Sequence, residues 1–194
     1  MNNLKELKSF KLNKNDINLK DIEDIISNIK LNVTSWKTLE NCDPNKITKL
    51  SATWYTIDAI PNLKKFDKLE EINLEYCTIS QKDSIRNIND TENLKRLTLS
   101  NCNLEEIPID FSNLKSIQQI NLSGNYITSK ELSKLETLKD IKNLNIELRG
   151  NSIIDANSLL KLDSSSRIDL RNNVNLSQQS KDKLKEKFGD NVKF

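Results

Sequence analysis

Residues 94–104 read Leu-Lys-Arg-Leu-Thr-Leu-Ser-Asn-Cys-Asn-Leu, and residues 117–127 read Ile-Gln-Gln-Ile-Asn-Leu-Ser-Gly-Asn-Tyr-Ile. Both stretches place apolar residues at positions one, four, six and eleven, and Asn or Cys at position nine. We call the apolar residue at position six the marker of each copy. Eight copies follow one another at intervals of 19 to 26 residues, with markers Leu12, Leu31, Ala52, Leu74, Leu99, Leu122, Leu148 and Leu170. A repeat of this period predicts stacked, similar structural units.

Around each marker, apolar and polar residues alternate, as in Ile72-Asn73-Leu74-Glu75. This period of two predicts a short strand with one apolar face, and stacked copies predict a parallel sheet over a continuous core. Position nine is called the Asn slot, and Asn there can satisfy backbone groups that the turn after the strand leaves without partners. The slot holds Asn15, Asn125, Asn151 and Asn173, with Thr34, Cys77 and Cys102 as replacements.

The pattern and its period resemble the leucine-rich repeat (LRR) family over nearly the whole chain, and are similar to short cytosolic, bacterial internalin-like or phosphatase-regulator-like arrays. The resemblance implies an α/β fold: a right-handed LRR solenoid with a curved parallel sheet on its concave face and mixed helical and extended returns on its convex face. The outer copies depart from the pattern. Tyr55, for example, stands in the Asn slot of the third copy.

We therefore predict one LRR domain over residues 1–194, with strands near 10–13, 29–32, 50–53, 72–75, 97–100, 120–123, 146–149 and 168–171. The returns over 16–28 and 128–142 carry apolar residues near helical spacing, whereas Pro61 and Pro108 favour extended or turn-like returns. Residues 177–194 are predicted to form a C-terminal cap. In it Ser177 begins a helix, Gly189 ends it and a last strand follows.

The composition limits the function. The 30 basic and 28 acidic residues nearly cancel, which argues against nucleic acid and anionic membranes as partners. The chain has no histidine and no metal-ligand spacing, so we expect no enzyme activity, no cofactor and no metal site. There is no long apolar run, and the first residues lack an apolar signal core, so we expect a cytoplasmic protein.

The polar residues beside the markers are predicted to line the concave face. Eight strands about 4.8 Å apart give a sheet roughly 35 Å wide, which can bury about 800 Å² against a partner. One column of this face, two residues after the marker, contains neighbouring bulky side chains. The predicted partner-binding residues are Val33, Trp54, Tyr76, Lys30, Lys49, Glu71, Asn73, Glu75, Arg96 and Asn101.

Two points stay open at this level. Trp54 can lie exposed on the rim as a binding hot spot, or it can exchange places with Tyr55 and pack inside. Cys77 and Cys102 occupy the same slot of adjacent repeats, so they are either two buried thiols or close enough for a disulfide. Cys42 is predicted to lie in a loop, without the histidine that would activate it.

The resemblance implies a non-catalytic module that binds another protein on its concave face and is itself a monomer. One alternative is binding of RNA or an anionic surface through cations toward the N-terminal end, namely Lys11, Lys30, Lys49 and Arg96. Others are a substrate-capture part of a larger enzyme system and an extracellular structural repeat. Composition and spacing do not identify the partner.

Overall fold

The computed structural model describes residues 9–10, 30–32 and 43–194, the first two segments by their backbone alone. Several sequence predictions therefore lie outside the described residues: the return helix over 16–28, Cys42, and the side chains of Lys11, Asn15, Lys30, Val33 and Thr34.

Short strands recur along the chain and nearly all of them join one sheet. The strands are β1 Ser9–Phe10, β2 Lys30–Asn32, β3 Lys49–Ser51, β4 Thr56–Ile57, β5 Glu71–Asn73, β6 Thr78–Ile79, β7 Arg96–Thr98, β8 Gln119–Asn121, β9 Asn145–Glu147, β10 Arg167–Asp169 and β11 Val192–Lys193. Nine of them form a sheet in the order β1-β2-β3-β5-β7-β8-β9-β10-β11, and β4 and β6 form a separate pair. Every pairing is parallel. The protein is thus a mixed α/β fold built on a long parallel sheet in chain order.

In the long sheet from β3 to β10, each strand begins one residue and ends two residues before its predicted range; β3, for example, is Lys49–Ser51 and β5 is Glu71–Asn73. The predicted ranges ran past the marker. The backbone instead turns sharply two residues after each marker from Ala52 to Leu170, where φ becomes positive. Because of this turn, the strand ends earlier than the alternation of apolar and polar residues in the sequence.

The apolar face of the sheet forms the core. In β5, Ile72 is buried, whereas Glu71 and Asn73 on either side are half-exposed, and the following marker Leu74 is buried again. The same alternation recurs in β7, β8 and β9. Because the period of two is kept in every copy, one face of the sheet is apolar and the opposite face is polar. We call the second face the polar face.

The Asn slot acts as predicted. Asn125 is buried, and its Oδ1 accepts hydrogen bonds from the backbone N–H groups of Cys102 and Leu104, both at 3.0 Å. Its Nδ2 donates to the carbonyls of Leu99 and Leu122 at 2.9 Å. Asn151 and Asn173 repeat this arrangement one and two copies further on. Each amide therefore ties its own turn to the preceding repeat.

The two slot cysteines are buried free thiols without a disulfide. The Sγ of Cys102 donates to the Leu74 carbonyl at 2.9 Å, and that of Cys77 donates to the Ala52 carbonyl at 3.4 Å. Burial raises the pKa of the Cys102 thiol to about 12. Both thiols are therefore small buried groups rather than nucleophiles.

Several returns are helical, but in the 3₁₀ form. The 3₁₀ segments are Pro44–Lys46, Lys82–Asp90, Phe111–Asn113, Ser129–Leu138, Asn157–Lys161 and Gly189–Asn191. In Ser129–Leu138 the buried residues Leu132, Leu135 and Leu138 are spaced by three. A helix with three residues per turn places all of them on the core side, whereas an α-helix would rotate them progressively away.

Residues 177–194 contain a helix and a final strand. The α-helix α1 spans Gln178–Phe188, and the hydroxyl of Ser177 accepts a hydrogen bond from the backbone N–H of Ser180. Leu184 and Phe188 are buried on one face of this helix. Gly189 follows with a φ of 55°, and β11 then pairs with β10. The cap thereby pairs the edge of β10, the strand of the last repeat.

Candidate functional site

Two exposed aromatic side chains stack on each other at the rim of the polar face. Trp54 follows β3 and is 72% exposed, and Tyr76 follows β5 and is 39% exposed. Their ring centroids lie 3.9 Å apart and their planes differ by 4°. Tyr55, the neighbour with which Trp54 could have exchanged places, packs against the core. The structure thus places the indole outside and its neighbour against the core.

Both aromatic residues have a left-handed backbone, with φ of 64° at Trp54 and 55° at Tyr76. The same column continues through the later repeats as Asn101, Gly124, Gly150 and Asn172, all with positive φ. Glycine and asparagine are the residues that adopt this conformation readily, and bulky side chains there are rare. The run of Asn and Gly in this column was the signal that could have predicted the left-handed turn from the sequence.

Hydrogen bonds between neighbouring repeats hold the residues of this column next to one another. The backbone N–H of Trp54 donates to the Glu75 carbonyl at 3.3 Å, and that of Tyr76 donates to the Ser100 carbonyl at 2.9 Å. The same register persists in the later copies, where the N–H of Asn101 donates to the Ser123 carbonyl at 2.9 Å. Adjacent repeats therefore hold their turn residues side by side, which brings the two rings into contact.

Beyond the stack, the polar face forms an open groove of about 330 Å³ beside Tyr76. Its wall includes Glu75, whose carboxylate accepts a hydrogen bond from the Ser100 hydroxyl at 3.3 Å. The Asn73 side chain accepts a hydrogen bond from the Glu75 backbone N–H at 3.1 Å. Two of the predicted binding residues, Glu75 and Asn101, thus line the same groove as Tyr76.

The floor of this groove depends on a glycine. A Cβ atom on Gly124 would lie 2.1 Å from Oδ1 of Asn101, so the asparagine side chain occupies the space that a larger residue would need. Gly124 and Gly150 have no side chain, so the column projects less far from the sheet at these two repeats than at Tyr76. The aromatic stack therefore stands above the rest of its column.

Three predicted binding residues form ion pairs with one another. The Glu71 carboxylate lies 3.3 Å from Nζ of Lys49 and 2.9 Å from Nη2 of Arg96, on the neighbouring strands. Burial works to raise the pKa of Glu71, but the hydrogen bond from Arg96 and the charge of Lys49 outweigh it, and the pKa lies below its usual value. The three side chains are thus held as one cross-strand cluster on the polar face.

The sequence reasoning missed a group of cations at the other end of the same face. Arg149, Arg167, Arg171 and Lys193 line a cavity of about 440 Å³ over the last strands of the sheet. None of these four residues is among the predicted partner-binding residues. Within the described part of the chain, ion pairing involves Arg171 and not the other three. Charge counting along each column could have indicated this excess of arginine.

Within residues 43–194, no group of three or more His, Cys, Asp or Glu residues is arranged to hold a metal ion. No helix of that part of the chain combines the length and the apolar character needed to cross a membrane. The predicted binding residues Val33 and Lys30 cannot be placed at the rim, because their side chains lie outside the described residues.

Comparison with known proteins adds little. No protein-family model matches the chain, and no curated protein matches it. Among solved structures, an LRR protein of Leptospira interrogans is similar with 16% identity and a TM-score of 0.33, over 90% of this chain. The chain spans 62% of the length of that protein. Similarity at this level says nothing about function.

Proposed function

We propose that this chain is a non-catalytic, LRR-type module that binds a partner protein on its polar face, with Trp54 and Tyr76 as the aromatic anchor. The observation that carries the proposal is the exposed stack of two aromatic rings on left-handed backbone. Such backbone costs roughly 1–3 kcal/mol per residue, and costs of this kind persist mainly at functional positions. Exposed tryptophan and tyrosine are also the residues most enriched at binding hot spots.

The proposal includes the finer architecture that the sequence resemblance implies. We infer that the repeats form a right-handed solenoid and that the polar face is its concave side. Support comes from the strictly sequential order of the parallel strands and from the asparagine bonds that recur in register between repeats. A partner held in such a hollow would contact several strands at once, which suits an interface of standard size.

The non-catalytic, monomeric and cytoplasmic parts of the proposal rest on composition and on the thiols. The chain has no histidine to act as a general base. The two slot cysteines are reduced, as is usual in the cytosol. Size-exclusion chromatography with light scattering tests the monomer, and fractionation of the native cells tests the compartment.

The alternative of RNA or anionic-surface binding loses part of its basis. Of the four cations that suggested it, Lys49 and Arg96 both pair with Glu71, whose carboxylate compensates one of their two positive charges. Substrate capture for a larger enzyme remains compatible with the same surface. If the chain captures substrates for a larger enzyme, an enzyme should be among the proteins that the wild-type chain binds.

Capture from native cell extract tests the anchor. The immobilised wild type is compared with the double variant Trp54→Ala/Tyr76→Ala, and captured proteins are identified by mass spectrometry. The matched control is Tyr126→Ala/Val174→Ala, which removes two side chains that are 59% and 89% exposed elsewhere. We expect the anchor variant to lose a protein that the wild type and the control both retain. Equal recovery by all three would refute the anchor.

A further inference from the structure

The cavity over the last strands of the sheet has its own charge character. It is bounded by β9, β10 and the end of β11, and its wall includes Asn145, Glu147, Arg149, Arg167, Arg171 and Lys193. Its volume of about 440 Å³ falls within the range of about 300–1,000 Å³ found for ligand pockets. The cavity is open on the polar face, so a side chain or a peptide segment has access to it.

The acidic groups of this cavity are mostly engaged. Asp169 accepts hydrogen bonds from Nε of Arg171 at 3.0 and 3.1 Å. Asp190 pairs with Lys185, which lies outside the cavity, at 2.9 Å. Glu147 is the remaining carboxylate, and it accepts a long hydrogen bond of 3.4 Å from the Gln119 amide.

The cations are in excess after this pairing. Among the residues that the structure describes, Arg149, Arg167 and Lys193 form no ion pair, and they face a single uncompensated carboxylate, Glu147. Arg171 is oriented by its bond to Asp169 through Nε and Nη2, which leaves other guanidinium N–H groups free to donate. The cavity thus presents an oriented arginine beside uncompensated positive charge.

We propose that this cavity is a binding site for carboxylate side chains, and that its ligand is an acidic peptide segment. Planar guanidinium groups bind carboxylates through paired hydrogen bonds. Arg149 and Arg171 follow the adjacent strands β9 and β10, and the Gly150 N–H donates to the Arg171 carbonyl at 2.9 Å. The Asn145 amide, in register with Arg167, can add a further donor.

The charges disfavour a nucleic acid as the ligand. A phosphate backbone carries one negative charge at each nucleotide and requires a continuous basic surface. Here Glu147 and Asp169 stand between the cations and would repel such a chain. An acidic peptide can place a few carboxylates on the cations and keep clear of these two groups.

The assignment of this segment to the partner protein rests on the proposed function, whereas the carboxylate site itself does not. The cavity lies four strand steps from the stacked rings along β5-β7-β8-β9-β10, roughly 19 Å away at about 4.8 Å per step. An extended segment of about six residues spans that distance. One partner segment could therefore contact both places.

Isothermal titration of the full chain with a capped hexaglutamate peptide at low ionic strength tests the site. We expect saturable binding that weakens with salt and falls about tenfold or more in Arg149→Gln/Arg167→Gln, because two of the three cavity cations that form no ion pair with a described residue are removed. The matched control is Lys142→Gln/Lys161→Gln, which makes the same change of net charge at exposed positions outside the cavity. It should bind like the wild type.

Hexaglutamine, inorganic phosphate and oligothymidylate are titrated in parallel. No binding of hexaglutamate, an equal loss in the lysine control, or tighter binding of oligothymidylate than of hexaglutamate would each overturn the proposal. The variant Trp54→Ala/Tyr76→Ala should bind hexaglutamate normally. If that variant also captures every wild-type protein from extract, the aromatic anchor fails while the carboxylate site stands.

Discussion

The left-handed backbone at Trp54 makes a prediction that separates strain from binding. Replacement by alanine keeps a Cβ at a φ of 64° and loses the stack with Tyr76. Replacement by glycine loses the same stack but relieves the strain. The stack is worth about 0.5–1.5 kcal/mol, and a non-glycine residue in this conformation costs about 1–2 kcal/mol. Trp54→Ala should therefore destabilise the protein by about 1 kcal/mol, and Trp54→Gly should leave its stability nearly unchanged.

Thermal and urea denaturation of the two variants measure this difference. A difference of about 1 kcal/mol corresponds to roughly 2–4 °C in Tm for a chain of this size, with the glycine variant melting higher. Thr56, which is exposed in β4, provides the control, because glycine in an ordinary strand is less stable than alanine by about 0.5–1 kcal/mol. Both Trp54 variants lack the indole and should lose the partner equally. If Trp54→Gly melts below Trp54→Ala, the strain argument is wrong.

Three further predictions concern the polar face and the asparagine bonds. Asn125→Ala should lower the free energy of unfolding, measured by urea denaturation, by about 3 kcal/mol or more, since several buried backbone groups lose their hydrogen-bond partners at about 1–3 kcal/mol each. A loss near zero would contradict the role of the Asn slot. Gly124→Ala should lower the free energy of unfolding by about 2 kcal/mol. Adding Asn101→Gly should recover the part of this loss that comes from the close contact, but not the part that comes from the positive φ of residue 124. No recovery would mean that the whole loss comes from the backbone. The pKa of Glu71 lies below its usual value, so its carboxylate stabilises the fold above about pH 4.5, and this stability is lost as the pH falls through the native pKa. Glu71→Gln should therefore make the decrease of Tm in acid less steep. An unchanged slope of Tm against pH would count against the pairing with Lys49 and Arg96.

Much of the fold could be predicted from local patterns in the sequence. The alternation around each marker predicted the parallel strands, because a period of two leaves a strand only one way to bury its apolar residues. Asn125 and its equivalents predicted the bonds between repeats, because one side-chain amide carries both two N–H donors and a carbonyl acceptor. Ser177 and Gly189 predicted the bounds of the cap helix through capping rules that act within a few residues.

The returns show where local patterns were insufficient. Leucine spacing predicted a helix in the return that contains Leu132, and the structure has a 3₁₀ helix there. The two helix types differ in their length per residue, so they span a given distance with different numbers of residues. The distance that the return must span is determined by the stacking of the repeats and not by the segment itself. The strand ends were misplaced for a related reason, since the turn after each marker responds to hydrogen bonds from the next repeat.

By itself the sequence determined the repeat, the two-sided sheet, the asparagine slots and the cap, because each depends on residues close together in the chain. The tertiary structure alone decided that Trp54 lies outside and Tyr55 packs against the core, that Glu71 pairs with both Lys49 and Arg96, and that Arg149 and Arg167 share a cavity with an excess of positive charge. Those outcomes depend on which side chains from different repeats meet. Residues some 20 apart become neighbours only when the strands pair in register.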